Sequence, residues 1–220
     1  MPQGGLLSDA IRRLQTTTEA DFRATCVDIL SAEVDWASVV RDHLASVTDD
    51  SLVDGTRRIF VEGVEPKTLL LHDEPGRFRL VLNHFDKASF LAHQREGRIT
   101  PHYHHFDFAT RVIGGSYHHL LFSNSGDVAR PKLALRHRTR DDAGHVYVLP
   151  WDEFHCVLAP EPDTMSLQIR SPARCVPNRR PLATTAKELL VARDVALGAL
   201  DALPPAAVSG QVPEFAQCWL

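Results

Sequence analysis

The sequence predicts a mainly β protein, a double-stranded jelly-roll barrel with helices before and after it. Short segments of strand-like composition recur about every ten residues through the middle of the chain, with turn-forming residues between them. Helical spacing of apolar residues is confined to the two ends. We therefore expect an N-terminal helical segment over residues 1–56, a barrel over 57–175, and a C-terminal helix and tail over 176–220.

Composition limits the possible functions. The chain has 220 residues, of which 44% are hydrophobic, and a formal net charge of −4, which argues against a nucleic-acid binder. No apolar run approaches the roughly 18 residues of a membrane span, and none near the N-terminus is of signal-peptide kind. The four cysteines include no CxxC pair, which favours a reducing, cytoplasmic setting. We expect a monomer or homodimer.

Helices are expected on both sides of the barrel. Residues 19–29 and 36–47 carry apolar side chains at helical spacing, and Asp35 is a candidate N-cap for the second helix. Residues 1–18 are expected to be an irregular end, because glycines come early and a polar run follows. A longer helix is predicted over 184–203.

Eight strands are predicted between these helices. Their ranges are 68–72, 77–84, 99–113, 116–123, 132–139, 145–149, 154–158 and 165–170. The connections contain the glycine, proline, asparagine and aspartate residues that turns favour, as in 73–76 and 141–144.

Three histidines stand out in this barrel. His102 and His104 are two residues apart, so on a strand they point to the same face. His155 comes about fifty residues later, just after a proline-containing turn. Three imidazoles that converge from two strands could hold a first-row transition metal and leave coordination positions open. The sequence therefore predicts His102, His104 and His155 as metal ligands.

Other arrangements of the site stay open. His105 replaces His104 as a ligand if a β-bulge shifts the register. Asp107 would add a carboxylate, although alternation from His104 turns it away from the site. His118 or His119, on the next strand, either supports a ligand from behind or lies at the surface.

The two histidine stretches resemble the two signature motifs of the cupin family. The matching residues are Gly97, His102, His104 and Gly115 in the first motif, and Gly144, Pro150 and His155 in the second, with Asp152 where the second motif has a glycine. The glutamate ligand of the first motif is replaced by Phe108, which cannot ligate. A three-histidine site without this glutamate resembles the cysteine dioxygenase-like (thiol dioxygenase) branch. The resemblance covers residues 35–175.

This resemblance implies a mononuclear non-haem Fe(II) oxygenase that uses O2 and a small thiol- or carboxylate-bearing substrate. The substrate side departs from the branch. Its last-strand tyrosine falls at Arg170, and its carboxylate-binding arginine falls near Thr68, where Lys67 is the nearest cation. Cysteine itself is therefore not expected to be the substrate.

Several residues are candidates for substrate binding or catalysis. Arg170 could anchor a substrate carboxylate through two parallel hydrogen bonds, the alternative being a structural ion pair. Lys67, Tyr103 and Phe108 are further candidates for substrate binding, and Tyr117 joins Arg170 as a candidate catalytic residue. The pocket is expected to be mostly apolar, lined by Phe108, Val112, Val148, Val157 and Leu167.

Two other functions would use the same residues. One is a non-oxidative isomerase or lyase, in which Zn, Mn or Ni acts as a Lewis acid. The other is a cupin that binds a small molecule without turning it over. Oxygen consumption separates the oxygenase from both alternatives.

Overall fold

The chain folds into two antiparallel β-sheets that face each other, with helices packed against one of them. The computed structural model describes residues 4–57, 67–174 and 185–203. The helices are α1 (Gly4–Thr16), α2 (Phe22–Ser31), α3 (Trp36–Ser46), α4 (Asp49–Arg57), α5 (Lys87–Arg95) and α6 (Ala186–Ala202). The strands are β1 (Lys67–Glu74), β2 (Phe78–Phe85), β3 (Phe108–Gly114), β4 (Ser116–Asn124), β5 (Leu133–Asp142), β6 (Val146–Leu149), β7 (Phe154–Leu158) and β8 (Thr164–Arg170).

The strand order confirms the predicted jelly-roll class. The larger sheet has the order β1-β2-β8-β3-β6 and the smaller one the order β5-β4-β7. The chain passes from the large sheet to the small one after β3, returns at β6, crosses again at β7 and ends in the large sheet at β8. This alternation between two facing sheets is the connectivity of a jelly roll.

The helices α2, α3 and α6 confirm the three predicted helices. Asp35 caps α3 by accepting a hydrogen bond from the Ser38 amide at 3.2 Å. The expectation of an irregular N-terminal end is wrong, because α1 is a helix that buries Leu7, Ala10 and Leu14 on one face. That apolar spacing outweighs the early glycines. The short helices α4 and α5 have no counterpart in the sequence prediction.

The predicted strand over 99–113 begins only at Phe108. Before it, the chain touches the small sheet at a single β-bridge between His102 and His155, on the edge of β7. Pro101 has no amide hydrogen and cannot donate to a strand ladder, so pairing is interrupted beside the bridge. Beside β7, where a fourth strand of the small sheet would lie, the chain therefore pairs through a single pair of residues.

The two faces of the large sheet differ in polarity. The outward face joins the helices in the main apolar core, where Ala109, Val148 and Leu167 pack with helical residues. The inward face carries Thr110 and Gln168, which are buried and bonded to each other at 3.1 Å. Val148 and Leu167 therefore do not line the barrel interior, and the prediction of a mostly apolar pocket is wrong for this wall, because alternation along β6 and β8 turns them outward.

Gly115 forms the corner between β3 and β4. Its φ angle is +67°, and a Cβ atom there would lie 2.8 Å from the Cα atom of Thr164. Only glycine combines this backbone conformation with so close an approach.

Within residues 4–57, 67–174 and 185–203, no helix has both the length and the hydropathy needed to cross a bilayer.

Candidate metal centre

The structure brings His102, His104 and His155 together. One ring nitrogen from each lies within 4.8 Å of the other two. Nε2 of His104 lies 2.8 Å from Nε2 of His155. His155 is buried on β7, whereas His102 and His104 come from the segment before β3.

The backbone fixes two of these histidines relative to each other. The His102 amide donates to the His155 carbonyl oxygen at 2.9 Å, and the His155 amide donates back at 2.8 Å. Nδ1 of His102 lies 3.0 Å from the carbonyl oxygen of Thr100, which can only accept. Nδ1 therefore carries the hydrogen, and Nε2 of His102 keeps the lone pair that a metal requires.

A line of buried side chains extends behind His155. Its Nδ1 lies 2.9 Å from Nε2 of His119, and Nδ1 of His119 lies 3.2 Å from Oδ2 of Asp141. We call this the His155–His119–Asp141 relay. Its three residues come from β7, β4 and β5, so each strand of the small sheet supplies one.

The electrostatics favour a neutral His155 and a charged Asp141. Burial lowers the pKa of His155 well below its ordinary value, and the charges of nearby histidines lower it further. Burial alone would raise the pKa of Asp141, but the hydrogen bond from Nδ1 of His119 holds it below its ordinary value. The ligand is therefore a neutral imidazole, the form that binds metals.

Aromatic rings wall one side of the three histidines. The ring centroid of Phe108 lies 4.9 Å from that of His104 and 5.8 Å from that of His155. The Phe106 ring lies 5.2 Å from His104. Phe108 is only 1% exposed, so this side of the site is closed to water.

Arg170 lies one aromatic ring away from the three histidines. Its guanidinium carbon is 4.9 Å from the centroid of Phe106, the ring that contacts His104. The side chain is 9% exposed and donates to Gln168 at 2.5 Å and to Asn83 at 3.4 Å. This places a buried cation on the inward face of β8, within the wall that borders the candidate site.

The other candidate residues make their contacts with other side chains. Tyr117 is buried, and its hydroxyl bonds to that of Tyr147 at 2.9 Å. The Tyr103 ring packs against Phe154 and His105 instead. Lys67 is exposed at the start of β1, where its charge lies near Glu188 of α6.

Asp107 faces away from the three histidines and joins separate parts of the chain. Its carboxylate pairs with Arg23 at 3.2 Å and Arg174 at 2.9 Å, and it accepts from the Trp151 amide at 2.9 Å. His105, the alternative ligand, is not in the group of converging ring nitrogens. The structure therefore places neither alternative at the candidate centre.

The sequence does not predict a role for Asp141 at the site, because this residue looks like the first residue of a turn. It reaches His119 only because β4 and β5 pair with Tyr117 opposite Asp141. This register is set by long-range pairing, and no local pattern marks it. His119 itself follows from alternation along β4, which points it inward with Tyr117.

The three imidazoles suit a metal ion. Nitrogen ligands lie about 2.1 Å from a bound first-row ion, so two of them are separated by about 3 to 4 Å. One separation here is 2.8 Å and none exceeds 4.8 Å, so small adjustments of the rings would bring the three nitrogens to this spacing. The two Nε2 atoms of His104 and His155 face each other, and an ion would replace the hydrogen that one of them must otherwise carry.

Solved structures similar to this chain are cupin-fold proteins. KdgF from a Halomonas species is 23% identical, with a match that covers 51% of this chain and 86% of that protein, at a TM-score of 0.34. A cupin 2 conserved barrel domain protein from Rhodopseudomonas palustris is 17% identical over 58% of this chain and 72% of its own, at 0.34. Hydroquinone 1,2-dioxygenase PnpCD, solved with Cd2+ and 4-hydroxybenzonitrile, is 11% identical over 55% and 71%, at 0.37.

No protein-family model matches the chain, and no curated protein matches it. The identities to these solved structures are 23% or less and the TM-scores 0.37 or less, so neither the fold nor the function of this chain is inferred from them. The chain has a jelly roll of two facing sheets in which three histidines could hold a metal ion. What the site does has to be argued from its own residues.

Proposed function

We propose that this protein is a mononuclear non-haem Fe(II) oxygenase that acts on a small thiol- or carboxylate-bearing molecule other than cysteine. The observation that carries the proposal is the donor set. Three imidazoles converge, and the Phe108 ring closes the side on which the resemblance would place a carboxylate ligand. We propose His102, His104 and His155 as the ligands.

The charge of this donor set favours an anionic substrate. Three neutral ligands leave the full charge of a divalent ion uncompensated, whereas a carboxylate ligand would remove one unit. A low-dielectric wall of Phe106 and Phe108 strengthens the attraction for an anion. When bound, iron would supply the coordination positions for substrate and O2 and the redox chemistry that activates O2.

Arg170 is the proposed anchor for a substrate carboxylate. Gln168 accepts a hydrogen bond from its Nε atom and so holds the plane of the guanidinium. A guanidinium fixed in this way can bind a carboxylate through two parallel hydrogen bonds. The Phe106 ring contacts both the guanidinium of Arg170 and the ring of His104, so a single aromatic side chain separates the proposed anchor from the proposed ligands.

A non-oxidative isomerase or lyase is the second candidate. The observation that favours it is the identity of Arg170, because the branch that the sequence resembles has a tyrosine for its chemistry at that place. In this reading Zn, Mn or Ni would act as a Lewis acid, and Arg170 would hold the substrate as before. Binding without turnover is the third reading.

The test combines metal analysis with oxygen uptake. The protein is purified without added metal, analysed for its metal content beside His155→Ala, and reconstituted with Fe(II) or Zn(II) under nitrogen. Oxygen uptake is then screened over small thiols and carboxylic acids. We expect close to one iron per chain in the parent, loss of iron in the variant, and substrate-dependent uptake with Fe(II) only.

Other outcomes separate the three readings. Product formation without O2 would contradict the oxygenase and favour the isomerase or lyase. Stoichiometric metal without any turnover in either condition would favour a binding protein. Failure of the reconstituted parent to hold any ion would show that the histidines are structural.

A further inference from the structure

We infer that His119 and Asp141 are positioning residues that hold His155 as the tautomer with hydrogen on Nδ1, so that its Nε2 lone pair faces His102 and His104. This inference rests on the proposed metal centre for its purpose. It stands on the geometry of the His155–His119–Asp141 relay, in which contacts of 2.9 and 3.2 Å join three residues that are 4%, 3% and 0% exposed.

The direction of each hydrogen bond follows from the last member of the relay. An ionised carboxylate can only accept, so Nδ1 of His119 must donate to Asp141. The second nitrogen of a neutral His119 then has a lone pair, and it can only accept from Nδ1 of His155. Nε2 of His155 is left with its lone pair directed away from the relay, toward the other two histidines.

The reversed direction is the arrangement that the relay prevents. If His155 accepted at Nδ1, its hydrogen would sit on Nε2 and would occupy the position needed by an ion. With a single hydrogen on His119, that reversal would require His119 to donate at Nε2 and to accept at Nδ1, which the acceptor-only Asp141 does not allow. Asp141 therefore selects the metal-binding tautomer of a residue that it does not touch.

The surroundings keep the relay in place. Asp141 and His119 lie on paired strands, and His119 and His155 lie on the next pair of the same sheet. The ring of Tyr147, 4.6 Å from that of His119, covers the relay from the facing sheet. His145 places Nε2 3.6 Å from Oδ1 of Asp141 and adds to the field that keeps this carboxylate charged.

The tautomer can be measured directly on the unmodified, metal-free protein. Nitrogen-15 chemical shifts distinguish a protonated ring nitrogen from one with a lone pair, and the His155 signals are assigned by their loss in His155→Ala. We expect His155 and His119 both to carry hydrogen on Nδ1 at neutral pH. A His155 with hydrogen on Nε2 would overturn the inference.

Asp141→Asn tests the same point by substitution. The amide has nearly the same shape, but its NH2 group can donate to Nδ1 of His119 and so permits the reversed direction. We expect the affinity for Co(II), measured by competition with a chelator, to fall about 10- to 100-fold. The matched control is Asp142→Asn, because this exposed neighbour pairs with Arg140 and lies outside the relay.

The outcomes separate this inference from the proposed function. Equal Co(II) affinities for the parent and Asp141→Asn would contradict it. If Asp141→Asn does not fold, the tautomer of the parent decides the question alone. If the parent has the expected tautomer and yet binds no metal, the relay is supported and the proposed oxygenase is not.

Discussion

The backbone groups of His102 and His155 form a reciprocal pair in which each amide donates to the other residue's carbonyl oxygen, at 2.9 and 2.8 Å. Their ring centroids are 4.7 Å apart. His102 belongs to no strand, so its position would otherwise depend on a loop. The bridge ties this loop to β7, and the geometry of the candidate centre is therefore set by the small sheet.

The bridge predicts different effects at two neighbouring histidines. His102→Ala removes one converging nitrogen and should abolish stoichiometric binding of Co(II) or Fe(II), measured by elemental analysis after dialysis. His105→Ala should keep about one ion per chain, because its ring packs with Tyr103 outside the group. Circular dichroism checks that both variants are folded.

Two results would count against this assignment. If His105→Ala loses the ion and His102→Ala keeps it, the ligand set is wrong. If both variants bind as the parent does, His104 and His155 hold the ion with some other residue.

The candidate ligands could be predicted from the sequence, but the geometric reason was only partly right. Strand alternation placed His102 and His104 on one face, whereas these residues lie in a bridge and a loop before β3. The two rings converge because the chain between Pro101 and Phe108 turns, and local propensity does not encode that turn. His155 does lie on a strand, as predicted.

Long-range contacts explain most of what the sequence did not reveal. Asp141 acquires its role only through the register of β5 against β4, and the polar inward face of β8 depends on which side the helices cover. Helix α1 was missed because its apolar spacing serves a partner surface that the local sequence does not contain. The periodicity of apolar residues predicts which segments form helices and strands, whereas long-range contacts determine which of their faces pack together.

Arg170→Met tests the proposed anchor. If the guanidinium binds a substrate carboxylate, the KM for an acidic substrate should rise about tenfold or more, while the metal content stays near that of the parent. A neutral analogue of the same substrate should lose little. The measurement is oxygen uptake against substrate concentration for both compounds.

Arg79→Met is the matched control for Arg170. Arg79 lies opposite Arg170 in the register of β2 with β8, and it pairs with Asp73 at 2.9 Å. Its removal should leave KM unchanged. If Arg170→Met lowers the melting temperature but leaves KM unchanged, Arg170 serves only as a structural hydrogen-bond donor to Gln168 and Asn83.

Asp107→Asn should lower stability in a pH-dependent way. Burial alone would raise the pKa of Asp107, but hydrogen bonds from Arg174 and the Trp151 amide and the charge of Arg23 hold it below its ordinary value. Its contribution is complete above the ordinary carboxyl pKa of about 3.9 and is lost as the pH falls through the lower folded pKa. At pH 7 the free energy of unfolding should fall by about 2 kcal/mol.

The pH dependence distinguishes this buried carboxylate from a surface one. Urea unfolding at pH 7 and at pH 3 should show the parent approaching Asp107→Asn at the lower pH. Asp28→Asn is the control, because Asp28 is 72% exposed where it pairs with Arg13 and should contribute less than about 1 kcal/mol. A constant difference between Asp107→Asn and the parent at both pH values would refute the assignment.

Phe108→Glu tests whether a carboxylate at position 108 can reach an ion at the candidate centre. The Phe108 ring lies beside those of His104 and His155, so a glutamate there could reach an ion held by the three histidines. Because this position is 1% exposed, an unpaired charge should lower the melting temperature of the metal-free protein. Affinity for Mn(II) or Co(II), measured by calorimetry, should instead rise by about tenfold, or about 1.4 kcal/mol.

The control for this change is Phe108→Gln. Glutamine has the size of glutamate without its charge, so this variant should raise neither the metal affinity nor the gain in melting temperature on metal binding.

Phe108→Glu should also reduce oxygen uptake, because the glutamate would fill a coordination position and cancel one unit of the charge that attracts an anionic substrate. If Phe108→Glu gains affinity and keeps full uptake, the open position beside Phe108 is not the one that substrate or O2 uses. If it gains no affinity, the ion does not sit beside the Phe108 ring, and the three-histidine geometry proposed for it is wrong.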